Sequence, residues 1–243
     1  MNRSGGLLWH ARALWSGARW RPACEQIEQW LESVTPRSGH VLLLGASAGW
    51  MLPTQWLTRF ERIDAWDIDP WAGPLFGWRH GSRLRAAGVQ WSYHQGDALA
   101  QLPALLKAHP DAAVFFDNLL GQLRFHAPAG PQGVAQVEQR LAVLRTQLTG
   151  REWGSIHDLL SGPAFGPSAP QAMRKRRIKP GASPSADPWL HKLLPSGPWL
   201  DHLTSAVFPV GTAVNDIAWP FKPGYWHWLQ AGWVEPPGHK ISP

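Results

Sequence analysis

The sequence predicts an α/β fold: a mostly parallel sheet with helices on both faces and antiparallel strands near the C-terminus. Three observations carry this expectation. Residues 40–50 read HVLLLGASAGW, a short apolar run that breaks into small residues and glycines, as a buried parallel strand does when it closes in a tight turn. Beyond it, strand-like and helix-like segments alternate, which is the pattern of βαβ units. Near the C-terminus two strand-like runs, 204–210 and 214–219, are separated by Gly211 and Thr212, which suit a turn between antiparallel partners.

Taken in order, Leu7, Ala11, Leu14 and Ala18 form a helical stripe able to dock on the domain. Residues 22–34 are a helix. Pro22 suits its first turn, Ile27, Trp30, Leu31 and Val34 share a face, and Thr35-Pro36 ends it. After the strand and glycine turn, residues 51–60 are helix-like through Leu52, Trp56 and Phe60. Residues 62–69 (RIDAWDID) read as the second strand and 70–87 as an interrupted helix. A third strand follows at 89–94, then a helix at 98–109 and a fourth buried strand at 112–116. Val134, Val137, Leu141, Leu144 and Leu148 mark the clearest helix, with Gly150 as its stop. A fifth strand covers 153–160. Residues 161–188, rich in proline and glycine and holding the run RKRRIK, read as a long loop. Short helices are expected at 189–194 and 225–231.

The chain has 243 residues, enough for one sizeable core without covalent staples. Its single cysteine, Cys24, excludes an internal disulfide framework and fits a reducing, cytoplasmic setting. No apolar run approaches the ~18 residues that span a bilayer, so no membrane partner is expected. Arg3, Arg12, Arg19 and Arg21 precede the first acid, Glu25, a weak likeness to a transit peptide. The formal charge of +6 permits a polyanionic partner without requiring one. The eleven histidines are scattered, with no HExxH and no paired cysteines, so no metal centre is expected.

Candidate site residues gather at the ends of successive strands, the edge where open α/β sheets bind ligands. The glycine turn would point backbone N–H groups and a helix N-terminus at a ligand. Asp67, at the end of the second strand, can take both hydroxyls of a ribose. Asp97, just past the third, can accept an exocyclic amine. Together they point to a nucleoside-bearing cofactor. A nicotinamide fingerprint would need a third glycine where Trp50 stands. The same turn also spells G-x-S-x-G, the nucleophile elbow of α/β-hydrolases, with Ser47 as nucleophile. Against that reading, too little chain precedes the turn for the strands such a fold requires.

The order VLLLGASAG, AWDIDP, YHQGDAL, VFFDNLL resembles the four cofactor motifs of class I S-adenosylmethionine-dependent methyltransferases, a Rossmann-like family. The resemblance covers roughly residues 41–160. It implies that Gly45, Ala46, Ser47 and Gly49 pass under the methionine part of the cofactor, that Asp67 binds the ribose, and that Asp97 and Ala98 lie by the adenine. Asp117 and Asn118 would stand where the fourth strand opens towards the methyl group and acceptor. Ser47 replaces the family's usual middle glycine and Leu43 its usual acid. The DNLL stretch is not the D/N-P-P-aromatic signature of base amino-group methylation. On this reading residues 1–36 are an N-terminal helical segment and 37–243 a methyltransferase-like domain. The expected function is methyl transfer from S-adenosylmethionine, with Asp117 or His157 as general base where the acceptor must lose a proton. A methyltransferase-like domain kept as a non-catalytic binding or assembly module is the alternative. Arg174, Lys175, Arg176, Arg177 and Lys179 tilt the expected acceptor towards RNA over a small molecule or a protein.

Overall fold

The computed structural model describes residues 6–164, 173–181, 187, 198–236 and 238. Helices α1 (Leu7–Trp15) and α2 (Gly17–Glu32) lead into β1 (His40–Leu44). Then follow α3 (Thr54–Leu57), β2 (Arg62–Asp67), α4 (Ala72–Ala86), β3 (Gln90–Gln95), α5 (Ala98–Ala108) and β4 (Ala113–Asp117). Next come α6 (Leu119–His126), α7 (Pro131–Gln147) and β5 (Trp153–Pro163). The chain continues through β6 (Arg174–Arg177), β7 (Leu200–Asp201), β8 (Ala213–Lys222) and β9 (Tyr225–Val234). The expected helix at 189–194 lies outside the described residues.

The nine strands among the described residues form one sheet, ordered β3-β2-β1-β4-β5-β9-β8-β6, with β7 paired to β5 off that path. The pairs from β3 to β5 are parallel. β9 runs antiparallel to both β5 and β8, and β6 antiparallel to β8. The expected fold class is therefore the observed one. The first three strands step outward on one side of β1 and the next two on the other. The strand order thus reverses between β1 and β4, the place where open α/β sheets take their ligands.

β1 shows how the sequence fixes the layers. Val41 and Leu43 join the cluster that α2, α3 and α4 cover, while Leu42 and Leu44 join the cluster under α5 and α7. All four are fully buried, as the period of two requires of a strand covered on both faces. Each such side chain contributes about 1.5–3 kcal/mol by leaving water.

Several expectations are corrected. Residues 51–60 are helical only over Thr54–Leu57. Pro53 has no N–H to continue a turn from Met51 and restricts the residue before it, so the helix starts only after it. Residues 204–210 are not a strand. Pro209 interrupts them, Leu203 just before them has φ 65°, and the Thr204 hydroxyl donates to Asp158 O. Residues 225–231 are not a helix but the first part of β9. That strand is buried on both faces, so its apolar positions do not alternate, and periodicity cannot separate it from a helix. Its aromatic content and the Pro223-Gly224 turn before it, with Gly224 at φ 67°, were the available signals. The stretch 161–188 is not loop throughout. β5 runs on to Pro163, and the basic run forms β6 at the edge of the sheet, where charged residues commonly guard against further pairing. Finally, α1 docks by the face opposite to the expected stripe. Leu7 and Leu14 are exposed, while His10 and Ala13 are buried. Trp9 packs against Trp20, Trp219 and Phe221, and this aromatic contact outweighs the two leucines.

Candidate functional site

The site starts from backbone conformation. Gly45, Ser47 and Gly49 all have positive φ, 72°, 45° and 62°. A Cβ on Gly45 would stand 2.7 Å from Leu119 Cβ and 3.2 Å from Asp117 O. Glycine there lets the β1 turn touch the end of β4. Gly45 N donates to Trp66 O at 2.8 Å, tying the turn to β2 as well.

Ser47 is held by three partners. Its N–H donates to Asp67 Oδ2 at 2.8 Å, its carbonyl accepts from Tyr93 OH at 2.7 Å, and its hydroxyl accepts from Trp9 Nε1 at 3.0 Å. Among the described residues no histidine bonds to Ser47 Oγ. The hydrolase reading therefore lacks its base and is dropped. Asp67 Oδ1 accepts from Asp69 N at 2.8 Å. Burial pushes the Asp67 carboxyl up, partly offset by these two amides. Asp69 in turn accepts from Gly6 N and lies 3.2 Å from His10 Nε2, while Trp50 Nε1 donates to His10 Nδ1 at 3.0 Å. α1 is thus fastened across the ends of β1 and β2.

Asp97 caps α5, its Oδ1 accepting from Leu99 N and Ala100 N at 3.0 and 3.1 Å, and Ala98 behind it is buried. Asp117, at the end of β4, is pushed up to about 8 by burial and then by the charge of Asp67, with the Arg79 guanidinium opposing. Arg79 comes from α4, donates to Trp50 O at 3.1 Å and lies over the Trp50 ring. Asn118 adopts the left-handed conformation, φ 53°, and its Oδ1 accepts from Asp158 N at 3.2 Å.

The structure brings the turn, Asp67, Asp117 and Asn118 together at the C-terminal ends of β1, β2 and β4, with Asp97 and Ala98 further along the same edge. His157 is not part of it. The ring is fully buried, bonded to Ser155 Oγ at 2.9 Å and packed on Phe208, and burial holds it down at about 3. Its neighbour Asp158 faces Asn118 instead. Arg79, Tyr93, Trp9 and Asp69 belong to the site and were not expected. Only Asp69, two residues beyond Asp67, carried a local signal. The basic run splits by strand alternation: Arg174 and Arg176 turn to the buried Asp216, and Lys175 and Arg177 face outward.

The histidines are not scattered in space. Among the described residues, two groups bring metal-capable side chains together: His40 with Asp64 and His109, and Asp158 with His202 and His227.

No family model and no curated protein matches the chain. Solved structures resemble it distantly, at low identity. Magnesium protoporphyrin IX methyltransferase (ChlM) from Synechocystis PCC 6803 is 14% identical, with 86% of this chain and 81% of that one covered and a TM-score of 0.45. The rRNA methyltransferase aviRa from Streptomyces viridochromogenes is 18% identical, with 64% and 80% covered and a TM-score of 0.36. The [4+2]-cyclase SpnF is 16% identical, with 57% of this chain covered and a TM-score of 0.37; the chain spans only 46% of that structure's length. The sheet order, with β9 set antiparallel between β5 and β8, is a Rossmann-like architecture extended by antiparallel strands.

Proposed function

We propose that the chain is an S-adenosylmethionine-dependent methyltransferase whose cofactor lies at the C-terminal ends of β1 and β4. The observation that carries this reading is the convergence of a left-handed turn, Asp67 and Asp117 where the strand order reverses. The residues fit the cofactor. A carboxylate has about four lone-pair sites, and the two amides on Asp67 occupy one on each oxygen, which leaves room for two ribose hydroxyls. Ile68, directly after Asp67, is 67% exposed, an apolar side chain that a flat base would cover. Asp97 Oδ2 takes no part in the cap made by Oδ1 and can take an amine.

When bound, the cofactor supplies an electrophilic methyl group on a sulfonium. The chain's own contribution is placement, since an in-line displacement is accelerated chiefly by fixing donor and acceptor in register. The β1 turn would meet the amino-acid end by its contour, since the amides of Gly45, Ala46, Ser47 and Gly49 are already bonded to Trp66 O, Asp67 Oδ2 and Ala46 O. Asp117 keeps its proton near neutral pH in the free protein and ionises when a positive charge arrives beside it. Trp9 and α1 cover the turn and exclude water.

The acceptor reading narrows. Arg174 and Arg176 are engaged with Asp216, so an RNA acceptor would meet Lys175, Arg177 and Lys179 rather than the whole run. The deciding experiment is calorimetric titration of the folded chain with S-adenosylmethionine. A dissociation constant in the micromolar range, about −8 kcal/mol, is expected. No binding would remove the enzymatic reading and leave a methyltransferase-like assembly module.

A further inference from the structure

Behind Asn118, midway along β5, three buried side chains meet. Asp158 and His202 are fully buried and His227 is 6% exposed. They come from β5, from the segment after β7 and from β9, so the chain brings them together only through its tertiary fold. Their potential ligand atoms all lie within 4.8 Å of one another. His202 Nδ1 is 2.8 Å from Gly121 O. A carbonyl can only accept, so Nδ1 carries the proton and Nε2 keeps its lone pair, turned to Ser161 Oγ at 2.9 Å. A backbone carbonyl on one ring nitrogen is the usual support of a metal-bound histidine, and here an ion would take the place of the Ser161 hydroxyl proton on Nε2. His227 Nδ1 lies 2.8 Å from Asp158 Oδ1.

The second oxygen of Asp158 distinguishes this cluster. Oδ2 is buried and has no hydrogen-bond partner among the described residues. A buried carboxylate oxygen without a partner is costly and calls for a cation or a proton. Gly121 lets α6 pack directly on Asp158, since a Cβ there would stand 2.9 Å from its Cβ and 3.1 Å from Oδ2. The other group differs in this respect. Asp64 Oδ1 accepts from Ser92, and Oδ2 is shared by His40 and Arg62, so its carboxylate is fully engaged.

We propose that Asp158, His202 and His227 bind one divalent ion of the zinc class, with Ser161 Oγ the nearest oxygen to complete four-fold coordination. Two imidazoles and one carboxylate suit zinc better than magnesium or calcium, which favour all-oxygen sites. Zinc bonds of about 2.0–2.1 Å would draw in pairs near the 4.8 Å limit and would replace the direct His227–Asp158 contact with bonds from each to the ion. The ion would clasp β5 to β9 and to the segment after β7. It needs no cofactor and no methyl transfer.

The test strips the full chain with chelator and titrates it with Zn(II) alone, then with Co(II), read by metal analysis and visible absorption. One zinc per chain, a rise in Tm on adding zinc, and cobalt bands of nitrogen and oxygen ligation are expected. Asp158→Asn and His227→Ala should each lower affinity more than ~100-fold, while His40→Ala and His109→Ala leave it unchanged. No uptake by the wild-type chain would overturn the site. So would uptake that survives both site variants, or is lost in the His40 variant. A cobalt–thiolate band would do the same, because it would place the ion on Cys24. If a site variant does not fold, the wild-type stoichiometry and cobalt spectrum decide alone.

Discussion

The Asp67 carboxylate and the Ser47 amide are joined by a 2.8 Å hydrogen bond, so the acid assigned to the ribose also shapes the turn assigned to the methionine. Asp67→Ala should therefore act twice. Losing hydrogen bonds made by a charged group costs roughly 1.5–3 kcal/mol of cofactor affinity, and the turn loosens as well. Calorimetry with S-adenosylmethionine measures the first, and amide exchange at Ser47 the second. An affinity equal to wild type would show that the ribose does not lie here.

Ser47→Gly separates conformation from contact. Glycine relieves the positive φ of 45° but gives up the bond from Trp9. Cofactor affinity should hold or improve, and α1 should become easier to release by limited proteolysis. A fluorophosphonate should leave Ser47 unlabelled; stoichiometric labelling would revive the nucleophile elbow.

Asp117 gives the molecule a pH signature. Its native carboxyl keeps a proton up to about 8, whereas the unfolded one ionises in the ordinary carboxylate range. Between those two values the native state binds more protons, so this group's contribution to stability falls as pH rises through the window. Asp117→Asn should flatten the urea midpoint between about pH 4 and pH 8. Ionisation also favours a sulfonium neighbour. Affinity for S-adenosylmethionine should rise towards pH 8 more steeply than affinity for the uncharged product, and parallel curves would remove Asp117 from the methyl site.

The basic strand makes two separable claims. Arg174 and Arg176 pair with Asp216, whose side chain has no exposed surface. Replacing both by alanine leaves a buried charge poorly compensated and should cost roughly 3–5 kcal/mol in chemical denaturation. Replacing Lys175, Arg177 and Lys179 tests the partner instead. If RNA binds, the salt dependence of its affinity should flatten by about one log-log unit for each phosphate that is no longer neutralised.

Gly154 is a packing test away from any ligand. A Cβ there would fall 2.2 Å from Trp233 Cε3. Gly154→Ala should destabilise by roughly 1–3 kcal/mol, visible as a lower Tm with cofactor binding intact.

What the sequence discloses depends on how local each signal is. β1 and β4 were legible as short apolar runs beside their own turns, and β2, β3 and the start of β5 by their alternation with helices. Asp67, Asp97 and Asp117 were legible because a strand end marks itself. β9 was not, since a strand covered on both faces reads like a buried helix. β6 was masked by its charges, which look solvated until Asp216 is placed beneath them. Arg79, Tyr93 and Trp9 reach the site from three different elements, and no spacing in the chain announces that meeting. The same is true of Asp158, His202 and His227.

β9 joins β5 on one side and β8 on the other, yet it is synthesised after both. On the ribosome, the parallel half of the sheet and the β8 edge must wait as separate pieces, each with an open row of backbone donors and acceptors. Those rows close only when residues 225–234 clear the exit tunnel. Until then the nascent chain offers two templates for pairing with another chain, so chaperone demand should peak late in synthesis. A released chain truncated just before Tyr225 should expose both rows and aggregate more readily than the full chain.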